Sequence, residues 1–282
     1  MRMHTLALAA ASGAALLAAG SLTPAASGAS PTPSAAPAAA RNVHPGAVRL
    51  APVAHTARLS YDGRSDASGA TADGASPAGE KPPAGIKEGS VSAADLLAKV
   101  SSCSQISNGK YRTDEETSAT VPVCGANGAV FWKADMDIDC DGQVTTACNE
   151  GTDPWFQDDT AFHTSGDKPL SAEKLPYVVV PSSSSIWNYS SAGIKGGGVV
   201  AVIYGGKVEY AVVGDTGPDK IIGEASYATA KALGIDPDPE TGGAESGVTY
   251  ILFKNSKVSP IESHGAAVTA GDALAKEFLQ NN

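Results

Sequence analysis

The sequence predicts a mainly β domain of the α+β class, an antiparallel or mixed β-barrel with a few peripheral helices. Three observations lead there. Six apolar runs of strand length lie between positions 128 and 253. The segments joining most of them are turns and loops, and only three stretches read as helix. An alternating α/β fold would need helices between its strands, so this pattern argues against one.

In chain order, the first element is a helix from Ala93 to Val100, with Ser92 as its N-cap. Strands follow at Gly128 to Lys133 and at Asp135 to Cys140. In the second of these, Asp135, Asp137, Asp139 and Asp141 alternate with Met136, Ile138 and Cys140. Period two is a strand signature, and it sets four carboxylates on one face and apolar side chains on the other. Leu175 to Pro181 forms the next strand. Val199 to Tyr204 and Val208 to Val213 make a hairpin around Gly205-Gly206. Gly196-Gly197-Gly198 precedes a strand and not a helix, so it reads as a turn and not a phosphate cradle. A helix from Ala225 to Leu233 ends at Gly234, Val248 to Phe253 is a strand, and Ala266 to Phe278 is the last helix.

The 282 residues divide into three parts. Residues 1–29 carry Arg2 and His4, an apolar run from Leu6 to Ala19, and small residues around Ala26 to Ala29, the plan of a secretory signal. The apolar run, roughly 14 residues, is short of the roughly 20 that a membrane span needs. Residues 30–89 are rich in Ala, Pro, Ser and Gly without apolar periodicity, and read as a disordered spacer or propeptide. Residues 90–282 suffice for one domain with its own core. The expectation is a secreted, extracellular monomer with no membrane association once the signal is cleaved.

The chain holds 30 acidic and 20 basic residues, a net charge of -10. From Ile86 onward there are 26 acidic against 14 basic residues, so that part carries -12. Such a surface repels nucleic acid and anionic membranes and concentrates a polycation near it. All four cysteines, Cys103, Cys124, Cys140 and Cys148, lie in the same part, which in an exported chain favours two disulfides. Three pairings are open, with a local Cys140 to Cys148 bridge preferred. Gaps of 21, 16 and 8 residues do not suit a four-cysteine zinc site.

Several chemistries lack their residues. His4, His44 and His55 lie before the domain, and His163 and His264 form no HExxH-like pattern. There is no GxSxG. The run Asp137-x-Asp139-x-Asp141-Gly142 opens like a calcium loop, but Cys148 stands where the closing glutamate belongs and Glu150 comes two residues late. No metal ligand set and no cofactor is expected.

The stretch from Val213 to Ser226 carries the chemistry. It places Asp215 and Glu224 nine residues apart around the turn at Gly217-Pro218, with a strand leading to Asp215 and Ile221-Ile222 bringing Glu224 back toward it. Two carboxyl groups facing one cleft are the equipment of a glycoside hydrolase: one protonates the leaving oxygen, and the other activates water or attacks the sugar. Glu224 has the more apolar neighbours, which raise a carboxyl pKa, so it is assigned as general acid and Asp215 as base.

The segments WKADMDIDCDG from Trp132, PLSAEKLPYVVVP from Pro169, GGVVAVIYGGKVEYAVVGDTGPDKIIGEASYATAKALGI from Gly197 and GVTYILF from Gly247 resemble the chitosanases of glycoside hydrolase family 75, known chiefly from fungi and also found in bacteria. The resemblance covers most of residues 95 to 280. It implies a secreted endo-hydrolase of the β-1,4 links between glucosamine units of chitosan, acting with inversion, with residues 90–282 as its catalytic domain. Asp215 and Glu224 fall where the family's catalytic Asp and Glu sit. The segment DTGPDKIIGEAS also looks like the DTGxxIxG pattern of double-psi β-barrels, which suggests a six-stranded double-psi-like barrel with both acids on one rim.

With that resemblance, the acidic ladder Asp135, Asp137, Asp139 and Asp141 reads as substrate-binding, its carboxylates receiving the ammonium groups of a polycationic polysaccharide. Trp155, in the polar loop from Asn149 to Thr160, is the ring best placed to stack on a sugar, whereas Trp132 and Tyr177 lie in apolar runs and read as core. Two alternatives accompany this reading. One is a wall-directed barrel acting on peptidoglycan as a glycan lyase or hydrolase. The other is a non-catalytic acidic polysaccharide-binding or calcium-stabilised module.

Overall fold

A computed structural model describes residues 88–282. The signal and nearly all of the spacer expected from the sequence lie outside the described residues, as do His4, His44 and His55. Within that range the chain forms α1 (Ala93–Lys99), β1 (Ser104–Gln105), β2 (Cys124–Ala126), β3 (Ala129–Asp139), β4 (Tyr177–Pro181), β5 (Val199–Tyr204), β6 (Lys207–Gly217), β7 (Glu224–Ser226), α2 (Tyr227–Leu233), β8 (Ala244–Phe253) and α3 (His264–Asn281). Among the described residues, no helix is long and apolar enough to cross a membrane.

The strands run in the order β1-β2-β3-β7-β4-β6-β5-β8, and β3 pairs again with β8. That last pairing closes β3, β7, β4, β6, β5 and β8 into a ring, with β1 and β2 as an appendage. The β3–β7 and β4–β6 pairs are parallel, and the other contacts around the ring are antiparallel. The result is the mainly β, six-stranded double-psi-like barrel that the sequence predicts. Each long strand, β3 and β6, has a short parallel neighbour on one side and an antiparallel one on the other.

Local chemistry sets the ends of the elements. Ser92 caps α1 by accepting from the Asp95 amide, and Ser226 caps α2 by accepting from Thr229. Because Ser226 keeps extended dihedrals, Ala225 belongs to a strand and the helix starts later than its apolar pattern suggests. Gly234 closes α2 in the left-handed conformation, φ 81°. The two glycines of the β5–β6 hairpin, φ 55° and 79°, match a turn that needs positive φ at both central positions.

Three departures from the sequence reading bear on the site. The two strands expected around Ala134 are one, β3, held along both halves by β8 with a bulge between Ala134 and Met136. Strand β6 runs past Val213 through Asp215 to Gly217. A three-residue strand, β7, holds Glu224.

Alternate strand residues separate into two apolar clusters. One draws on all six barrel strands and on α2, including Trp132, Met136, Val178, Val213, Ala225 and Leu233. The other joins the opposite strand faces to α1 and α3 through Leu96, Phe131, Val212, Ile251 and Phe278. Burying each of the larger side chains is worth roughly 1.5–3 kcal/mol. Trp132 is fully buried, stacked on Tyr250 at 5.6 Å with Trp187 edge-on at 6.1 Å. Bridges join Cys103 to Cys124 and Cys140 to Cys148, the latter being the local pairing preferred from sequence.

Candidate active site

The parallel pairing of β3 with β7 puts Asp137 in register with Glu224 and Asp139 with Ser226. Register partners in a parallel pair send their side chains to the same face, so the ladder and Glu224 share one side of the sheet. The Asp137 amide donates to Gly223 O at 2.8 Å, fixing the entry to β7. Gly223 has φ 123°, and a Cβ there would lie 2.0 Å from Asp135 Oδ1, so any other residue would be strained and would displace that carboxyl.

Asp215 arrives from the other long strand. Val178 pairs with Val213, but Val179 pairs with Asp215, so Gly214 is the extra residue of a bulge. The bulge turns Asp215 to the side of Val179. Asp215 is only 2% exposed, and its Oδ1 accepts from Ala161 N at 2.8 Å and Thr216 N at 2.6 Å. Two backbone N–H groups on one oxygen are the partners an ionised carboxyl takes. Two residues on, Gly217 leaves room for the other acid: a Cβ there would lie 2.5 Å from Glu224 Oε2. Asp215 and Glu224 are thus brought to one side of the barrel from different strands. The backbone between them is tied down by residues 110–117, since Arg112 N donates to Lys220 O at 2.9 Å and Ile222 N to Arg112 O at 3.0 Å.

Tyr177 ties two ladder residues together. Its hydroxyl, 3.0 Å from Asp139 Oδ1 and from Asp141 O, donates to that pair of oxygens. The Asp141 amide also donates to Asp139 Oδ1 at 2.7 Å, and Asp141 Oδ1 accepts from Gln157 N at 2.7 Å. Through Gln157 and the Cys140–Cys148 bridge, the loop that carries Asp153 and Trp155 is sewn to the end of the ladder.

Crowding of acids away from water shifts their titration. Burial first, then the charges of Asp139, Asp137, Asp215 and Asp135, push Glu224 up to about 8. Burial and then Asp137 push Asp135 up to about 8. Burial, then the charge of Asp215 on Asp139 and of Asp139 on Asp141, push both of these carboxyls above the usual range. Glu224 is therefore held toward its protonated form near neutral pH.

A cleft of about 390 Å³ opens beside Glu224. It is lined by Thr113, Asp114, Glu115, Glu116, Asp137, Ile138, Asp153, Pro154, Trp155, Ile221, Glu224, Pro239, Glu240 and Gly242. Seven of these are acids and none is basic. Such a wall attracts ammonium groups and rejects phosphate and carboxylate ligands. Trp155 is 48% exposed at its rim.

Of the residues singled out from sequence, Glu224, Asp137 and Trp155 line this cleft. Asp215, Asp139 and Asp141 lie outside its lining, joined to Glu224 or to one another by charge and hydrogen bonds. Asp135 is 6% exposed and sits against Gly223. The wall formed by Asp114, Glu115, Glu116 and Glu240 was missed; its signal was the run Asp114-Glu115-Glu116 in a domain already rich in acids. Tyr177 reads as core from its apolar neighbours and is fully buried, yet its hydroxyl serves the ladder.

Residues 136–280 match the family described as fungal chitosanase of glycosyl hydrolase group 75. Endo-chitosanase of Aspergillus fumigatus is 33% identical over 191 residues, which are 62% of this chain and 79% of that protein. Endo-chitosanase C of Aspergillus oryzae is 33% identical over 161 residues, 55% of this chain; the chain spans 37% of that relative's length. Among solved structures, a Streptomyces papain inhibitor aligns with 44% of this chain and 94% of its own at 15% identity, with a TM-score of 0.27, too low to bear on function. The chain belongs to the glycoside hydrolase family 75 chitosanases.

Proposed function

We propose that this protein is a secreted endo-chitosanase that hydrolyses β-1,4 links between glucosamine units by an inverting mechanism with two carboxyl groups. The observation that carries the reading is Glu224, a carboxyl pushed up to about 8, in a cleft lined by seven acids and no basic residue. Chitosan's protonated amines are drawn into that field. The names of the Aspergillus relatives support the choice of polymer.

In this mechanism Glu224 gives its proton to the glycosidic oxygen as the bond from that oxygen to the anomeric carbon breaks. Asp215 takes a proton from a water whose oxygen bonds to the same carbon from the opposite face. The carboxyls of an inverting pair stand about 6.5 to 9.5 Å apart to admit that water. Asp137 and the wall acids hold ammonium groups along the chain, and Trp155 stacks on a sugar face at the rim.

The test is incubation of the secreted protein with chitosans of graded acetylation while product anomers are followed by NMR. Shortened oligomers whose new reducing ends first appear as the α-anomer support the reading. Release of sugar from cell walls and none from chitosan would replace it with the wall-directed alternative.

A further inference from the structure

Away from the cleft, a second cavity of about 610 Å³ brings together Glu88, Glu209 and His264. Glu88 precedes α1, Glu209 lies on β6, and His264 begins α3. Their separation along the chain hides them from any motif. His264 Nε2 lies 3.0 Å from Glu209 Oε1 and 3.2 Å from Glu88 Oε1. One ligand atom from each residue lies within 4.8 Å of the other two. Bonds of about 2.0 to 2.1 Å around a tetrahedral or octahedral ion set neighbouring ligand atoms about 2.8 to 3.4 Å apart.

A second observation points to a ligand. Glu209 is 3% exposed, and among the described residues its Oε1 and the buried His264 Nε2 meet only each other and Glu88 Oε1, outside good hydrogen-bonding geometry. Glu88 is already oriented, since its Oε2 accepts from Tyr210 N at 2.9 Å, leaving Oε1 for the site. Two carboxylates beside one imidazole need a positive charge among them. A proton on His264 is one solution, and the Glu209 and Glu88 carboxylates do push that imidazole up to about 9. A dication held by all three is the other. Of the three lysines around the cavity, Lys231 lies 5.8 Å over the Tyr227 ring, Lys207 Nζ sits against Gly234 at the end of α2, and Lys174 acts on Glu173.

We infer that Glu88, Glu209 and His264 form a site for a dication of the zinc or manganese type, which ties the segment entering the domain to the barrel and to α3. One imidazole with two carboxylates suits those ions better than calcium, which prefers oxygen ligands alone. The role is structural, because the site lies apart from the cleft that holds Glu224. It stands independently of the proposed activity, and its test needs no substrate.

The full secreted chain, stripped with a chelator and desalted, is titrated with zinc chloride and separately with manganese chloride near pH 7.5 by calorimetry, with thermal melts in parallel. The expected result is one ion per chain and a melting midpoint that rises with metal. Glu209→Gln should weaken binding at least tenfold, whereas Asp159→Asn, which alters the exposed His163 pair, should leave it unchanged. Should Glu209→Gln fail to fold, Glu88→Gln reads the same loss. Failure of the wild-type chain to take up either ion would leave His264 simply protonated and overturn the inference. So would uptake that is undiminished in a folded Glu209→Gln or Glu88→Gln.

Discussion

Asp137 and Glu224 are register partners across the parallel β3–β7 pair, and both side chains line the same acidic cleft. Ionising Glu224 therefore places a second charge beside the first, which adds to the effect of burial in keeping Glu224 protonated. Burial and neighbouring charge act in the same direction on Asp135, Asp139 and Asp141.

Stability should fall as pH rises. Burial first raises all four of Asp139, Glu224, Asp135 and Asp141 above the usual carboxylate range in the folded chain, Glu224 and Asp135 to about 8. In an unfolded chain such groups ionise near pH 4. Between those limits the native state keeps protons that the unfolded chain has released, so each unit of pH costs stability until the folded groups ionise as well. The melting midpoint should be highest in mildly acidic buffer and decline steadily toward pH 9. A midpoint that climbs across that window would contradict the assignment.

Asp135→Asn should separate stability from turnover. The side chain is buried, its Oδ1 has no hydrogen-bond partner among the described residues, and it does not line the cleft. An amide of the same shape cannot ionise there, so the melting midpoint above pH 8 should rise while kcat on chitosan stays within about threefold. A loss of turnover with an unchanged melt would place Asp135 in the substrate path.

These two cases mark how far the sequence could be read. Alternation from Asp135 to Cys140 gave the ladder its common face, and the Gly-Pro turn after Asp215 brought Glu224 back, because both are local patterns with one structural solution. Whether a ladder acid faces the cleft or the protein was hidden, since it depends on β7, a strand too short to show a period. The bulge at Gly214, which turns Asp215, has no signal beyond a glycine among valines. Glu88, Glu209 and His264 meet only through long-range packing.

Trp155→Ala should act on binding. The ring is half exposed at the cleft rim and lends little to the core, so the melt should hardly move. Loss of a stacking face should raise KM for chitosan by about tenfold with kcat nearly intact. An unchanged KM would remove Trp155 from the substrate path.

Asp215→Asn should lower kcat by about 10² to 10⁴, the range for loss of a positioned base. The amide oxygen can still accept from Ala161 and Thr216, so the fold should persist. Chitosan binding, followed by retardation in a chitosan-containing gel, should survive. Near-normal turnover would shift the role of base to another acid, with Asp137, already in the cleft, as the first to replace.

The most direct measurement is kcat of Glu224→Gln on soluble chitosan, read beside its melting curve. Glutamine keeps the shape of a side chain held toward its protonated form near neutral pH and removes only the proton to be donated. Turnover should drop by about 10³ or more with no loss of melting temperature. A folded Glu224→Gln protein that still cleaves chitosan at close to the original rate would show that the proton comes from elsewhere.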